Sequence, residues 1–88
     1  MKQYTKTYLD FFGYCKEDVI ICEVCGRGLV GGVGGDIHHI KYRSHGGSDE
    51  IINCMALCSN CHEKAHKEEY KKEFLQEIHY KFIAYNKA

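Results

Sequence analysis

The chain has 88 residues, and its 12 basic and 12 acidic side chains cancel when the six histidines are neutral. That length predicts a single domain (residues 1–88) too small to be held by an apolar core alone, and six cysteines offer a staple. The charge balance argues against a uniformly basic nucleic-acid binder while leaving room for a local patch, and apolar runs such as Val19-Ile20-Ile21 are far too short for a membrane span.

The start, MKQYTKTYLDFFGY, has neither an apolar signal region nor a small-residue cleavage site. A cytoplasmic, reducing location is therefore expected, where cysteines hold metal more often than they form disulfides. Residues 4–12 read as a short amphipathic helix stopped at Gly13, with Tyr8, Phe11 and Phe12 turned inward. Residues 18–21 are β-prone and lead into the knuckle CEVCG. Two short strands are expected near 28–30 and 37–40, joined by a flexible glycine loop. KYRSHGGSDE is a loop turning at Gly46 and Gly47, and IINCMAL is either an extended segment or one helical turn.

From about Cys61 to about Tyr85 the periodicity predicts one long helix, with Tyr70, Phe74, Ile78, Phe82 and Tyr85 on its apolar face. Asn60 is the expected N-cap, followed by Glu63. Glu63–Lys67, Glu68–Lys72 and Glu77–Lys81 are spaced for i,i+4 pairing.

Two C-x-x-C pairs, Cys22/Cys25 and Cys58/Cys61, predict a closed, tetrahedral, structural zinc site. Cys15 and Cys54 are left over and are expected to be buried. His62 and His66 lie four apart on the expected helix and project from one face. His38 and His39 are neighbours on an expected strand and so should point to opposite sides. A shell of His38, His62 and His66 would leave coordination positions open, as a catalytic ion requires. His39 is then free for proton transfer near neutral pH.

Cysteine knuckle, histidine pair, glycine loop, Asn53 and the CSNCHEKAH cluster follow one another from about Cys22 to His66. In that order they resemble the HNH endonuclease family, in its cysteine-bearing, ββα-metal branch, and within it the small proteins of phages and mobile elements. The resemblance implies an α+β fold: a small zinc-stapled ββα-metal (His-Me finger) core with an N-terminal helix and a long C-terminal helix. It implies that His39 is the general base, that Asn53 pins the loop and orients the base, and that His38 and His62 bind the catalytic ion. His66 matches a ligand present in only part of the family, and Asp36 is a candidate hydrogen-bond partner for a liganding histidine. Arg43 matches a basic loop residue that faces phosphate, and Lys41 and Lys64, with Lys67, would extend a nucleic-acid-binding patch.

The implied activity is metal-dependent hydrolysis of DNA phosphodiester bonds, by nicking or double-strand cleavage, leaving 5′-phosphate and 3′-hydroxyl ends. Zn²⁺ is the expected structural ion. Neutral nitrogen ligands favour Mn²⁺, Ni²⁺, Co²⁺ or Zn²⁺ over Mg²⁺ as the catalytic ion. The residues do not separate DNA from RNA. No membrane partner is expected; the residues do not fix the oligomeric state, and a monomer, a homodimer through the last helix and a phage packaging complex all stay open. The rival reading is a non-catalytic zinc module binding nucleic acid or protein, which accounts for the cysteines but not for the ordered histidines and Asn53.

Overall fold

A computed structural model of the chain describes residues 2–15, 17–30 and 33–87. In chain order the elements are α1 (Gln3–Phe12), β1 (Val19–Ile21), β2 (Gly28–Val30), β3 (Gly35–His39), β4 (Cys54–Cys58), α2 (Ser59–His66) and α3 (Lys72–Lys87). Short 3-10 turns at Arg43–His45 and Ile51–Asn53 interrupt the loop between β3 and β4. The result is an α+β fold in which a β3–β4 hairpin and α2 form the ββα core.

The strands expected at 28–30 and 37–40 are both present, yet each pairs elsewhere. β1 pairs with β2, Val19 opposite Val30, and β3 pairs with β4, from Gly35 opposite Cys58 to His39 opposite Cys54. Gly31 and Gly32 of the expected glycine loop lie outside the described residues. IINCMAL contains both alternatives, a helical turn at Ile51–Asn53 followed by β4. All five residues of β4 are buried. They need to be, because α1 and β1 pack against this strand while β3 covers its edge. The largest fully buried apolar side chains, Tyr8, Met55, Leu57 and Leu75, come from α1, β4 and α3 and meet in one core.

α1 ends at Gly13 in the left-handed conformation, as its sequence predicts. Its inward face is Tyr4, Tyr8 and Leu9, with Phe11 and Phe12 only half-buried. Cys54 is buried as expected, whereas Cys15 is exposed, because it follows the end of α1 rather than entering the core. The N-cap of α2 is Cys58, not Asn60: its sulfur accepts the Cys61 backbone N–H at 3.4 Å.

The expected single C-terminal helix is two helices. The chain breaks at 67–71, where Glu68 has φ 60°. No glycine or proline marks this break; a tertiary contact demands it. His79 lies eighteen residues after Cys61. A straight helix would place it about 27 Å away. Instead its Nδ1 sits 2.7 Å from Glu23 Oε1, one residue from Cys22. The pairs Glu63–Lys67 and Glu77–Lys81 form, at 2.9 and 3.2 Å. Glu68 lies within the break and Lys72 opens α3, so these two do not share one helix. Leu75 and His79 are buried on α3, Phe82 meets Phe12 at 5.2 Å, and Phe74 and Tyr85 face outward.

Glu23 is the centre of a buried polar network. Tyr8 and the Ala56 backbone N–H donate to its Oε2, while Oε1 meets His79 Nδ1. His79 Nε2 lies 2.6 Å from the Ile51 carbonyl oxygen. Both side chains of the Glu23–His79 pair are fully buried. One carboxylate thus joins α1, the cysteine knuckle, β4 and α3. Removing one partner of a buried, hydrogen-bonded pair costs about 3–5 kcal/mol. Denaturant unfolding of His79→Ala is expected to show a loss of that size, whereas Tyr80→Ala, exposed on the same helix, should change stability by less than about 0.5 kcal/mol.

Candidate metal centres and the histidine cleft

Cys22 follows β1, Cys25 lies in the turn after it, Cys58 ends β4 and Cys61 occupies the first turn of α2. The turn closes through Gly26, which has φ 79° and donates its N–H to the Cys22 carbonyl. The four sulfurs all lie within 4.8 Å of one another. Cys25 and Cys58 sulfurs are 3.7 Å apart. A tetrahedral zinc with bonds of about 2.3 Å has an edge of about 3.8 Å, so four thiolates in this arrangement fit zinc. Burial pushes the Cys58 thiol up, but the Cys61 backbone N–H and the neighbouring thiols outweigh it and bring it down to about 7. These cysteines form a cluster that can hold zinc.

The next residue of α2 belongs to a second cluster. His38, His62 and His66 each offer a ring nitrogen, again within 4.8 Å of one another. The Nε2 atoms of His62 and His66 are 3.0 Å apart, and the ring centres of His38 lie 5.1 and 5.3 Å from theirs. Neighbours on an α-helix differ by about 100°. Cys61 therefore points into the core while His62 points along the cleft. Burial, then the rings of His62 and His66, pushes His38 down to about 4. Burial and His66 lower His62 as well. Neutral imidazoles keep the lone pairs that a divalent cation needs, so the donor set fits an ion.

His38 is 4% exposed and turns to α2; His39, next on the strand, turns the other way. The ring of His39 packs edge-on against Tyr4 of α1, with centres 4.5 Å apart. Its Nε2 is 2.7 Å from an Asp49 carboxylate oxygen. Asn53 is buried and ties the intervening loop at both ends. Its side-chain N–H groups donate to the Lys41 and Ser48 carbonyls at 3.0 and 2.8 Å, and its oxygen accepts the Lys41 N–H at 2.8 Å.

Tyr4, Asp36, His38, His39, Tyr42, Arg43, His62 and His66 line a cleft of about 250 Å³. The structure thus brings the histidines and Arg43 to one place. Asp36 is exposed at its rim, with its carboxylate on its own strand's Ile37 N–H. Lys41 does not line this cleft; it lies in a separate hollow with His45, Lys72 and Gln76. Lys64 sits over the Tyr70 ring at 5.8 Å and does not line the cleft. Three participants escape sequence reasoning: Tyr4, Asp49, and Tyr42, which stacks on His66 with Lys72 4.9 Å from its ring centre. Only Asp49 carried a signal, as the one aspartate in the loop between His39 and Asn53.

The family model described as HNH endonuclease matches residues 22–68. The chain is 36% identical over 64 residues to the Type IV methyl-directed restriction enzyme EcoKMcrA of Escherichia coli (strain K12), covering 67% of this chain and 23% of that protein. It is 53% identical over 34 residues to Anaredoxin of Nostoc sp. (strain PCC 7120 / SAG 25.82 / UTEX 2576), covering 39% of this chain and 45% of that protein. The chain thus spans less than half the length of either relative. No solved structure gives a significant match. The two clusters predict two ions per chain. Elemental analysis should find about two in the native protein and about one in a His38/His62/His66 triple alanine, while Cys25→Ser should lose metal together with folded structure.

Proposed function

The chain belongs to the HNH endonuclease family, and from that premise we propose that it hydrolyses phosphodiester bonds of DNA with one divalent cation and His39 as general base. The observation that carries this reading is the division of adjacent histidines: His38 joins His62 and His66, while His39 is left outside the cluster on the same cleft. DNA is preferred to RNA because a restriction enzyme is among the relatives. His38, His62 and His66 would hold the catalytic ion, and Cys22, Cys25, Cys58 and Cys61 the structural zinc.

When bound, a divalent ion supplies Lewis-acid stabilisation to a non-bridging phosphate oxygen and to the leaving 3′ oxygen. The remaining steps belong to the chain. His39 takes a proton from water as the water oxygen bonds to phosphorus; the bond from phosphorus to the 3′ oxygen breaks, the departing oxyanion takes a proton from solvent, and His39 returns its own to solvent. The products carry 5′-phosphate and 3′-hydroxyl ends. Because His38 and His39 leave β3 on opposite sides, the base stands apart from the residues that would hold the ion while sharing one cleft with them. Arg43 lines the cleft with its side chain 63% exposed; its Nε pairs with Asp49 at 3.4 Å, and the rest of its guanidinium would meet a phosphate. Lys41 and Lys64 would act as outlying contacts, and so few cations give weak, shallowly salt-dependent binding. Phe74, Tyr80 and Tyr85, exposed on α3, are the residues on which a homodimer or a packaging complex would rest.

A plasmid-cleavage assay tests the reading. His39→Ala should slow cleavage about 10²- to 10⁴-fold, the range of a lost general base. Equal, residual cleavage by both proteins would favour a non-catalytic zinc module. In the same assay Mn²⁺, Ni²⁺ or Co²⁺ should support faster cleavage than Mg²⁺; full activity with Mg²⁺ and none with transition metals would overturn the three-histidine site.

A further inference from the structure

Beyond the histidines and Asn53, we propose that Asp49 is the positioning residue of the base: its carboxylate accepts the Nε2–H of His39 and so leaves Nδ1 to receive the proton. The inference rests on the nuclease reading above for its catalytic consequence, and on geometry alone for the hydrogen bond. His39 Nε2 and Asp49 Oδ1 are 2.7 Å apart. An ionised carboxylate only accepts, so the proton between the two atoms sits on the ring nitrogen. In a neutral imidazole the other nitrogen then carries the lone pair.

The loop is shaped to deliver that carboxylate. Asn53 grips the Ser48 carbonyl, one residue before Asp49, and grips Lys41, two residues after His39. Between them the chain folds tightly back on itself at Gly46-Gly47. Gly47 donates to the Tyr42 carbonyl at 2.9 Å, and a Cβ there would come within 1.8 Å of the Lys41 carbonyl oxygen. No side chain fits, so the glycine is a requirement of the turn. His39 lines the cleft and Asp49 does not. The hydrogen bond therefore holds the ring from behind and leaves its other side to substrate. Tyr4, edge-on to the ring at 4.5 Å, narrows its freedom further. The Arg43 Nε lies 3.4 Å from the same Asp49 oxygen, so one carboxylate touches both the base and the cation expected to meet phosphate.

The side chain of Asp49 is 41% exposed, and its replacement should leave the fold intact. The experiment compares wild type, Asp49→Ala and Asp49→Glu, each loaded with zinc. Nitrogen-15 NMR of the histidine rings reads the tautomer, with the His39 signals assigned by their absence in His39→Ala. Wild type should show His39 protonated at Nε2; Asp49→Ala should shift toward a tautomer mixture, and Asp49→Glu should recover the wild-type form in part. In the manganese-supported cleavage assay Asp49→Ala should lower kcat about 10- to 100-fold, the scale of a lost histidine-orienting partner, with KM changed less than about twofold. An unchanged tautomer in Asp49→Ala, or an unchanged kcat in an active enzyme, overturns the proposal. If the wild type cleaves nothing with any of these ions, the nuclease reading fails, and the tautomer comparison alone decides whether Asp49 holds the ring.

Discussion

Glu23 sits between two systems that a chain of this size must reconcile. On one side of it in sequence is Cys22, a member of the thiol cluster; around its carboxylate are Tyr8 of α1, the Ala56 amide of β4 and His79 of α3. A carboxylate buried without partners would be prohibitive, and here both oxygens are engaged. The cluster of sulfurs closes the centre of the fold, and this single side chain fastens both ends of the chain to it. The break after α2 follows from that requirement. An uninterrupted helix would satisfy local periodicity and leave Glu23 Oε1 without His79.

The functional geometry grows from the same economy. β3 needs only the ordinary alternation of a strand to send His38 toward α2 and His39 toward the loop. α2 needs only its regular pitch to send Cys61 inward and His62 and His66 to the cleft. Eight helical residues thereby belong to two centres at once. Structural zinc ligation in small peptides is worth about 10–16 kcal/mol at neutral pH, comparable with the whole stability of a typical domain. Zinc held by the four sulfurs would stiffen the turn of helix that also carries the imidazoles.

Much of this was legible in the residues. The C-x-x-C pairs are metal signals independent of context, and the i,i+4 histidines announce a common face. The short strands and α1 came from patterning that needs no partner to be recognised. What escaped detection was long-range. His79 looks like a polar interruption on the apolar face of α3, and its partner is fifty-six positions away. Tyr4 reaches His39 only because α1 packs across β3 and β4. Cys58 replaces Asn60 as the cap because its sulfur must already face the Cys61 amide to join the cluster. Residue type alone places Cys15 in the core, and its exposure reflects the end of α1 just before it.

The adjacency of Cys61 and His62 makes α2 a ruler that cannot be recalibrated. One residue inserted between them would swing the imidazoles about 100° around the axis relative to the sulfur, so neither centre could be kept without abandoning the other. Length variation among descendants of this chain should therefore spare those eight positions and accumulate beyond them, in the outward-facing turn that precedes α3.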